Sequence, residues 1–303
     1  MACFSPLDAW QLVTGEIVFS ANRKGSPRPD RGIRRELTLP CGQCVGCRLE
    51  RSRQWAVRCM HEAQMHENNC FVTLTYKDAA LPEDFGLRYS DFQRFMRDFR
   101  RAHGKVRFYM CGEYGEQLLR PHYHAAIFGF DFPDRVYFRT TPSGSKLYTS
   151  KLLEDLWPHG HSSVGDVTFE SAAYIARYVM KKANGKLAET RYQRVDSETG
   201  EMWQVPPEFT RMSLKPGIGS TWLEKYKADV YPADHVLVNG KFCKPPRYYD
   251  KQLETLDYQT YEFIELGRVK RARASACDNT RDRLKTRELV TRARLNFKKR
   301  NLD

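Results

Sequence analysis

The sequence predicts an α+β protein built on a ferredoxin-like, split-βαβ antiparallel sheet, with a cysteine-rich segment before it and a basic region after it. Three observations carry this expectation. Between residues 67 and 190 the hydrophobic periodicities read strand, helix, strand, strand, helix, strand, helix, and the first six of these are the split-βαβ order. Ahead of them stands PCGQCVGC, a C-x2-C-x2-C run at Cys41, Cys44 and Cys47. Behind them, residues 267 to 303 hold 13 basic and 4 acidic side chains. The expected division is 1–66, 67–190 and 191–303.

The elements follow in order. The stretch RLERSRQWAVRCMHEAQMHE has no Gly or Pro and is expected to be helical. Cys70 to Tyr76, CFVTLTY, is rich in β-branched and aromatic residues and is expected as a strand. Ser90 and Gln93 are spaced as a capping box, and Phe92, Phe95, Met96 and Phe99 then repeat at i, i+3, i+4 and i+7, a core-facing helical stripe stopped by Gly104. Val106 to Gly112 and HYHAAIFGF are expected as two strands of a hairpin with a loop of about nine residues. Ser150 to Trp157 is expected as a short helix closed by Pro158, Ser162 to Glu170 as a strand, and Ser171 as the cap of a helix that Asn184-Gly185 ends. Pro-rich punctuation from Lys182 to Gly267 suggests an accessory region packed on this core. No G-x-x-x-x-G-K-[ST] motif is present to signal a helicase. The last segment is expected either as a helical arm that tracks phosphates or as a solvated tail.

Composition restricts the partners. With 50 Lys and Arg against 37 Asp and Glu, the net charge of +13 points to a polyanion, above all nucleic acid. Sixteen Tyr and seventeen Phe supply aromatic faces that can stack on bases or fill a core. No stretch reaches the roughly 18 apolar residues of a membrane span, and MACFSPLDAW lacks the features of a signal peptide, so a soluble intracellular protein without a membrane partner is expected.

Nine cysteines, an odd number with no export signal, argue against a disulfide framework. Cys41, Cys44 and Cys47, with Gly42 and Gly46 letting the backbone wrap, can converge on one soft metal ion, and Cys3 is the candidate fourth ligand. Structural zinc is the expectation, with an iron–sulfur cluster as the variant and three reduced thiols as the bland reading.

In RPHYHAAIFGF, His122 and His124 stand two apart on one face of a strand, opposite Tyr123, Ala125 and Ile127, which face the helices. Two imidazoles on an open face can bind one divalent cation if oxygen ligands join them. Glu113 is expected to arrive opposite them from the preceding strand, with Glu116 as the weaker choice. Such ligands suit manganese, magnesium or zinc. A second pair, His159 and His161, is expected in a helix-to-strand turn. On the last helix Tyr174 and Tyr178 share a face, Lys181 and Lys182 continue it, and Arg177 stands at i+3. A phenol is a poor nucleophile at neutral pH, and a nearby cation would help it attack a metal-polarised phosphate. Ordinary core packing is the bland reading of the same tyrosines.

FVTLTY, RPHYH and YIARYVMKK occur in the order of the three motifs of the HUH endonucleases that initiate rolling-circle replication. His122-Tyr123-His124 matches the His-hydrophobic-His motif, and Tyr178-Val179-Met180-Lys181 the Tyr-x-x-Lys motif, with Tyr174 making a two-tyrosine version. The chain is similar to the replication initiators of gokushoviruses, small single-stranded DNA phages of the microvirus family, over roughly Cys41 to Lys182. The resemblance implies an endonuclease and ligase that nicks single-stranded origin DNA with Mg2+ or Mn2+ on His122, His124 and Glu113. One tyrosine would be joined to the 5′-phosphate, with Tyr178 favoured as first nucleophile, and Lys181 or Lys182 would stabilise the developing charge. Arg120 and Arg177 would contact DNA. It also implies work with the host helicase and polymerase in the cytoplasm of the host bacterium. Two other readings stand beside it: a DNA-transfer relaxase or transposase with the same chemistry, and a non-enzymatic zinc-containing nucleic-acid-binding protein.

Overall fold

The computed structural model describes residues 3–19, 32–115, 118–181, 186–196 and 199–297, with the side chains of 178–181 and 186–188 not described. The chain forms two compact units, one of residues 1–51 and 262–298 and the other centred on residues 52–261.

The first unit contains an antiparallel sheet of β1 (Leu7–Leu12), β2 (Ile17–Phe19) and β3 (Ile33–Leu39) in the order β2-β1-β3. The cysteine run follows β3, and Cys47 falls in the first turn of helix α1 (Val45–Ala63), which starts three residues earlier than its polar sequence suggests.

The second unit is built on one sheet. Its strands are β4 (Asn69–Tyr76), then, after helix α2 (Tyr89–His103), β5 (Arg107–Tyr114) and β6 (Pro121–Phe128). A hairpin of β7 (Val136–Thr140) and β8 (Lys146–Thr149), helix α3 (Lys151–Leu156), β9 (Gly160–Gly165) and helix α4 (Phe169–Lys181) come next. After α5 (Lys186–Arg191) and the small pair β10 (Gln193–Val195) and β11 (Met202–Gln204), β12 (Phe209–Met212) returns to the sheet. Helix α6 (Ser220–Val230), the pair β13 (Val236–Val238) and β14 (Lys241–Cys243), and α7 (Arg247–Leu256) complete the accessory region. The chain ends in α8 (Tyr258–Ala274) and α9 (Arg281–Asn296), so the basic region is helical over its described residues.

The sheet order is β12-β5-β6-β4-β9-β8-β7, and every described pairing in it is antiparallel. Its middle, β5-β6-β4-β9, is the expected split-βαβ arrangement, since each helix-bridged pair has one strand inserted between its members. Period-2 alternation decides what each face does. Val72, Leu74, Tyr123, Ala125 and Ile127 turn to one face and form a core with Phe92, Phe95, Met96 and Phe99 of α2 and Leu153 of α3. Full burial of each large apolar side chain here contributes about 1.5–3 kcal/mol.

The other face is covered, and not open as the sequence alone suggests. Phe71, Tyr109, Cys111, Ala126 and Phe128 pack against Ala56 and Cys59 of α1 and against Ala172, Ala173, Ile175 and Ala176 of α4. Small residues let both helices sit close to the strands, and the buried Ser52 hydroxyl donates to the Ala173 carbonyl at 2.9 Å. The sheet is therefore the middle of three layers.

Several boundaries differ for identifiable reasons. Helix α2 begins at Tyr89 with Arg88 as its cap, and no side chain caps it. The Tyr123 hydroxyl accepts from the Arg88 amide and donates to the Arg88 carbonyl, so the strand fixes the helix entry and Ser90 and Gln93 form no capping box. At α4, Thr168 and Ser171 bond each other's amides through their hydroxyls, which makes Ser171 the inner partner of the cap. Asn184-Gly185 lies outside the described residues. Strand β9 starts at Gly160, so His161 is on a strand, paired with Thr75, and not in a turn. A Cβ at Gly160 would lie 2.3 Å from both the Thr75 carbonyl oxygen and the Lys77 amide nitrogen, so only glycine permits this close approach.

Candidate active site and metal centres

Register assembles the first cluster. Glu113 on β5 is directly opposite His122 on β6, and His124 is two residues further along the same face. The hairpin loop spans only residues 115–120, so Glu113 lies within the strand, not at the start of the loop. Glu113 Oε1 is 2.8 Å from Nε2 of His122 and 2.8 Å from Nε2 of His124. All three residues are buried, His122 being 8% exposed and His124 0%.

The outer nitrogens show what the inner ones carry. His122 Nδ1 lies 3.1 Å from the Arg120 carbonyl, which can only accept, so the proton is on Nδ1 and the neutral ring aims a bare lone pair at Glu113. His124 Nδ1 lies 2.9 Å from the Thr73 hydroxyl on β4. Lone pairs pointing at a carboxylate oxygen repel unless an imidazole is protonated or a cation sits among them. Glu113 Oε2 is buried and takes no hydrogen bond among the described residues. Burial raises the Glu113 carboxyl pKa, but the hydrogen bonds from His122 and His124 outweigh it and hold the group below its ordinary range. An ionised, buried, half-satisfied carboxylate beside two imidazoles fits a divalent cation, and these three residues can hold one.

Helix α4 brings the phenol. The Tyr174 hydroxyl donates to Glu113 Oε1 at 3.3 Å, and its ring meets that of His124 edge-on with centroids 5.1 Å apart. The Arg177 guanidinium lies over the Tyr174 ring, 5.9 Å from its centroid. Tyr178 and Lys181 continue α4 one and two turns later with side chains outside the described residues; Lys182 and Glu116 lie outside them altogether. Arg120 bonds the Tyr76 carbonyl at 2.9 Å and ion-pairs with Asp78, which ties the entry of β6 to the end of β4.

Thr73 escaped the sequence reading. Its signal was present, because in FVTLTY the threonines alternate with Val72 and Leu74 and so share the face of the histidines.

The second cluster is in the first unit. The Sγ atoms of Cys3, Cys41, Cys44 and Cys47 all lie within 4.8 Å of one another. Cys3 and Cys41 are 3.7 Å apart and Cys3 and Cys44 3.9 Å, close to the ~3.8 Å edge of a tetrahedron with 2.3 Å zinc–sulfur bonds. The amides of Phe4, Cys41 and Cys44 donate to cluster sulfurs at 3.3 Å, as suits thiolates. Burial raises the Cys44 pKa, but amide donors from Phe4 and Cys47 outweigh it and draw the thiol down to about 7.

Fold and clusters together define a split-βαβ protein with two candidate metal centres, and the comparisons give its class. The family described as replication-associated protein ORF2 matches residues 69–183, the segment that holds the first cluster and α4. Replication-associated protein VP4 of Bdellovibrio phage phiMH2K is 34% identical over 82% of this chain and 76% of its own length. Replication-associated protein ORF2 of Spiroplasma virus 4 is 30% identical over 91% of this chain and 87% of its own, and replication-associated protein ORF4 of Chlamydia phage 1 is 27% identical over 74% and 56%. The chain belongs to this family of phage replication-associated proteins. No solved structure matches it.

Proposed function

We propose that this protein initiates rolling-circle replication of a small single-stranded DNA phage by nicking and rejoining origin DNA through a covalent 5′-phosphotyrosine. The observation that carries this reading is the Tyr174 hydroxyl, 3.3 Å from the one carboxylate oxygen on which both imidazoles converge. A phenol so placed can reach a phosphate bound at the cluster.

Mg2+ or Mn2+ held by His122, His124 and Glu113 would supply Lewis-acid polarisation of the scissile phosphate. The chain's own residues do the rest. A tyrosine oxygen attacks phosphorus, the phosphorus–O3′ bond breaks, and the 3′-oxygen leaves as a hydroxyl with a proton replacing the lost bond. The 5′-phosphate stays on the tyrosine. One phosphodiester replaces another, so rejoining needs no ATP, and the free 3′-hydroxyl is a primer for the host polymerase working with a host helicase. Two tyrosines one turn apart permit alternation between cutting and holding, with Tyr178 as partner to Tyr174. Lys181 and Lys182 lie in sequence where a developing phenolate needs a cation. Arg177 can meet the DNA backbone beside Tyr174, and Arg120 positions the strand that carries the histidines. The site of action is the host cytoplasm; no helix of the described residues is long and apolar enough to cross a membrane. The cysteine cluster holds structural zinc, a reading supported by the tetrahedral sulfur spacing.

The test is incubation with single-stranded phage-origin oligonucleotide and Mn2+, followed by denaturing electrophoresis. A protein–DNA adduct is expected, absent when Tyr174 and Tyr178 are both Phe and absent when His122 and His124 are both Ala. An adduct that survives the double Phe change refutes the choice of nucleophile.

A further inference from the structure

The hairpin β7–β8 does nothing for the cluster or the core, yet it lengthens the sheet and places large apolar side chains in water. Val136 is 64% exposed, Tyr137 57% and Phe138 61%. A long apolar edge strand is a liability unless something uses it or blunts it. Tyr137 pairs with Tyr148 and Arg139 with Leu147, so Phe138 is the extra residue of a bulge on the outermost strand. A bulge breaks the regular row of edge hydrogen-bonding groups, which disfavours strand addition by another protein and leaves the rings themselves as the usable surface.

The charge around the rings selects the occupant. From 135 to 153 the chain carries Arg135, Arg139, Lys146 and Lys151 and no acidic residue. Arg135 and Lys151 are held by Asp131, Asp166 and Asp155, whereas Arg139 and Lys146 are exposed on the hairpin, Arg139 with its guanidinium 5.8 Å from the Phe138 ring centroid. Exposed aromatic rings interleaved with cations are the recognition chemistry of single-stranded nucleic acid, in which bases stack on rings and phosphates meet the cations.

The hairpin is also continuous with the site. His122 is paired with Thr75 on β4, and Thr75 with the exposed His161 on β9, all on one face, and β9 borders β8. From β6 to β7 is four strand spacings, about 19 Å along the sheet, the length of about six stacked nucleotides.

We infer that the β7–β8 hairpin is a stacking arm for the single-stranded DNA that flanks the scissile phosphate, with Tyr137 and Phe138 taking bases and Arg139 and Lys146 taking phosphates. This inference rests on the nicking function proposed above and adds to it where the flanking strand is held.

The test is fluorescence anisotropy with a labelled single-stranded oligonucleotide of about 24 nucleotides, long enough to span the site and the hairpin. Tyr137→Ala with Phe138→Ala is expected to weaken binding about tenfold per ring, or about a hundredfold together. Phe138→Trp is expected to retain the affinity of the parent protein. Arg139→Ala is expected to reduce the slope of log affinity against log salt by about 1. All of these side chains are exposed, so the variants keep the core. Double-alanine affinity within about twofold of the parent overturns the inference. So does a changed oligomeric state on sedimentation with DNA affinity intact, since the edge would then serve a protein. If the parent binds but forms no adduct while the hairpin variants lose affinity, the stacking arm stands and the nicking chemistry falls.

Discussion

Thr73→Val separates a metal site from a pair of core histidines. The change keeps the shape of the side chain and removes one hydroxyl, the partner of His124 Nδ1 at 2.9 Å. His124 is 0% exposed, so water cannot replace the lost bond. Leaving a buried ring nitrogen unsatisfied costs about 1–3 kcal/mol, and at about 2–4 °C per kcal/mol the melting temperature falls by several degrees. Those losses follow whether or not a metal binds. If His124 is a ligand, its ring also loses what fixes its tautomer and orientation, and loss of such a partner weakens metal binding by about 10–100-fold. The assay is paired calorimetry, Mn2+ titration for affinity and thermal unfolding without metal for stability. A lowered melting temperature with unchanged Mn2+ affinity would refute the assignment of His124 as a ligand.

Three further outcomes are expected. Cys44→Ser should reduce bound zinc, measured by elemental analysis of the purified protein, and chelation of the parent should loosen the three-stranded sheet that follows Cys3, seen as increased proteolysis of residues 1–51. His61 is buried between Trp222 and Tyr249, and burial lowers its pKa to about 3 from an ordinary 6.5. The unfolded chain therefore binds the extra proton between those values, stability rises with pH across that window by up to about 1.4 kcal/mol per unit, and His61→Gln should flatten the slope in denaturant titrations. Gly160→Ala forces a methyl against the backbone of Thr75 and Lys77 and should destabilise by about 3 kcal/mol, read from the same titrations.

The middle of the fold was legible because its signals are local. The Phe92–Phe99 stripe, the alternation of CFVTLTY and the breaker Gly104 each act within a few residues, and the helix order then selects the sheet. The pairing of Glu113 with His122 followed from one hairpin. What was missed depends on residues far apart in the chain. The covering of the histidine face needs α1 and α4 together, and nothing in RPHYH announces that Ala56 and Ala172 will close over it. The entry of α2 is set by Tyr123, 35 residues past Arg88, so the local Ser90–Gln93 pattern lost to a tertiary contact. The β7–β8 hairpin was missed because its residues alternate poorly, being bulged and exposed on both sides.

The compact unit formed by residues 1–51 with 262–298 is stitched from both ends of the polypeptide. A ribosome delivers its first portion early and its last portion only after some two hundred intervening residues have emerged. The N-terminal sheet must therefore wait, incompletely covered, while the nuclease-like core assembles behind it, a long-range closure of the slow kind. Ion capture by Cys3, Cys41, Cys44 and Cys47 can occur during that interval, since all four ligands leave the ribosome together. A metal clasp that closes early would guard the segment until its distant complement arrives.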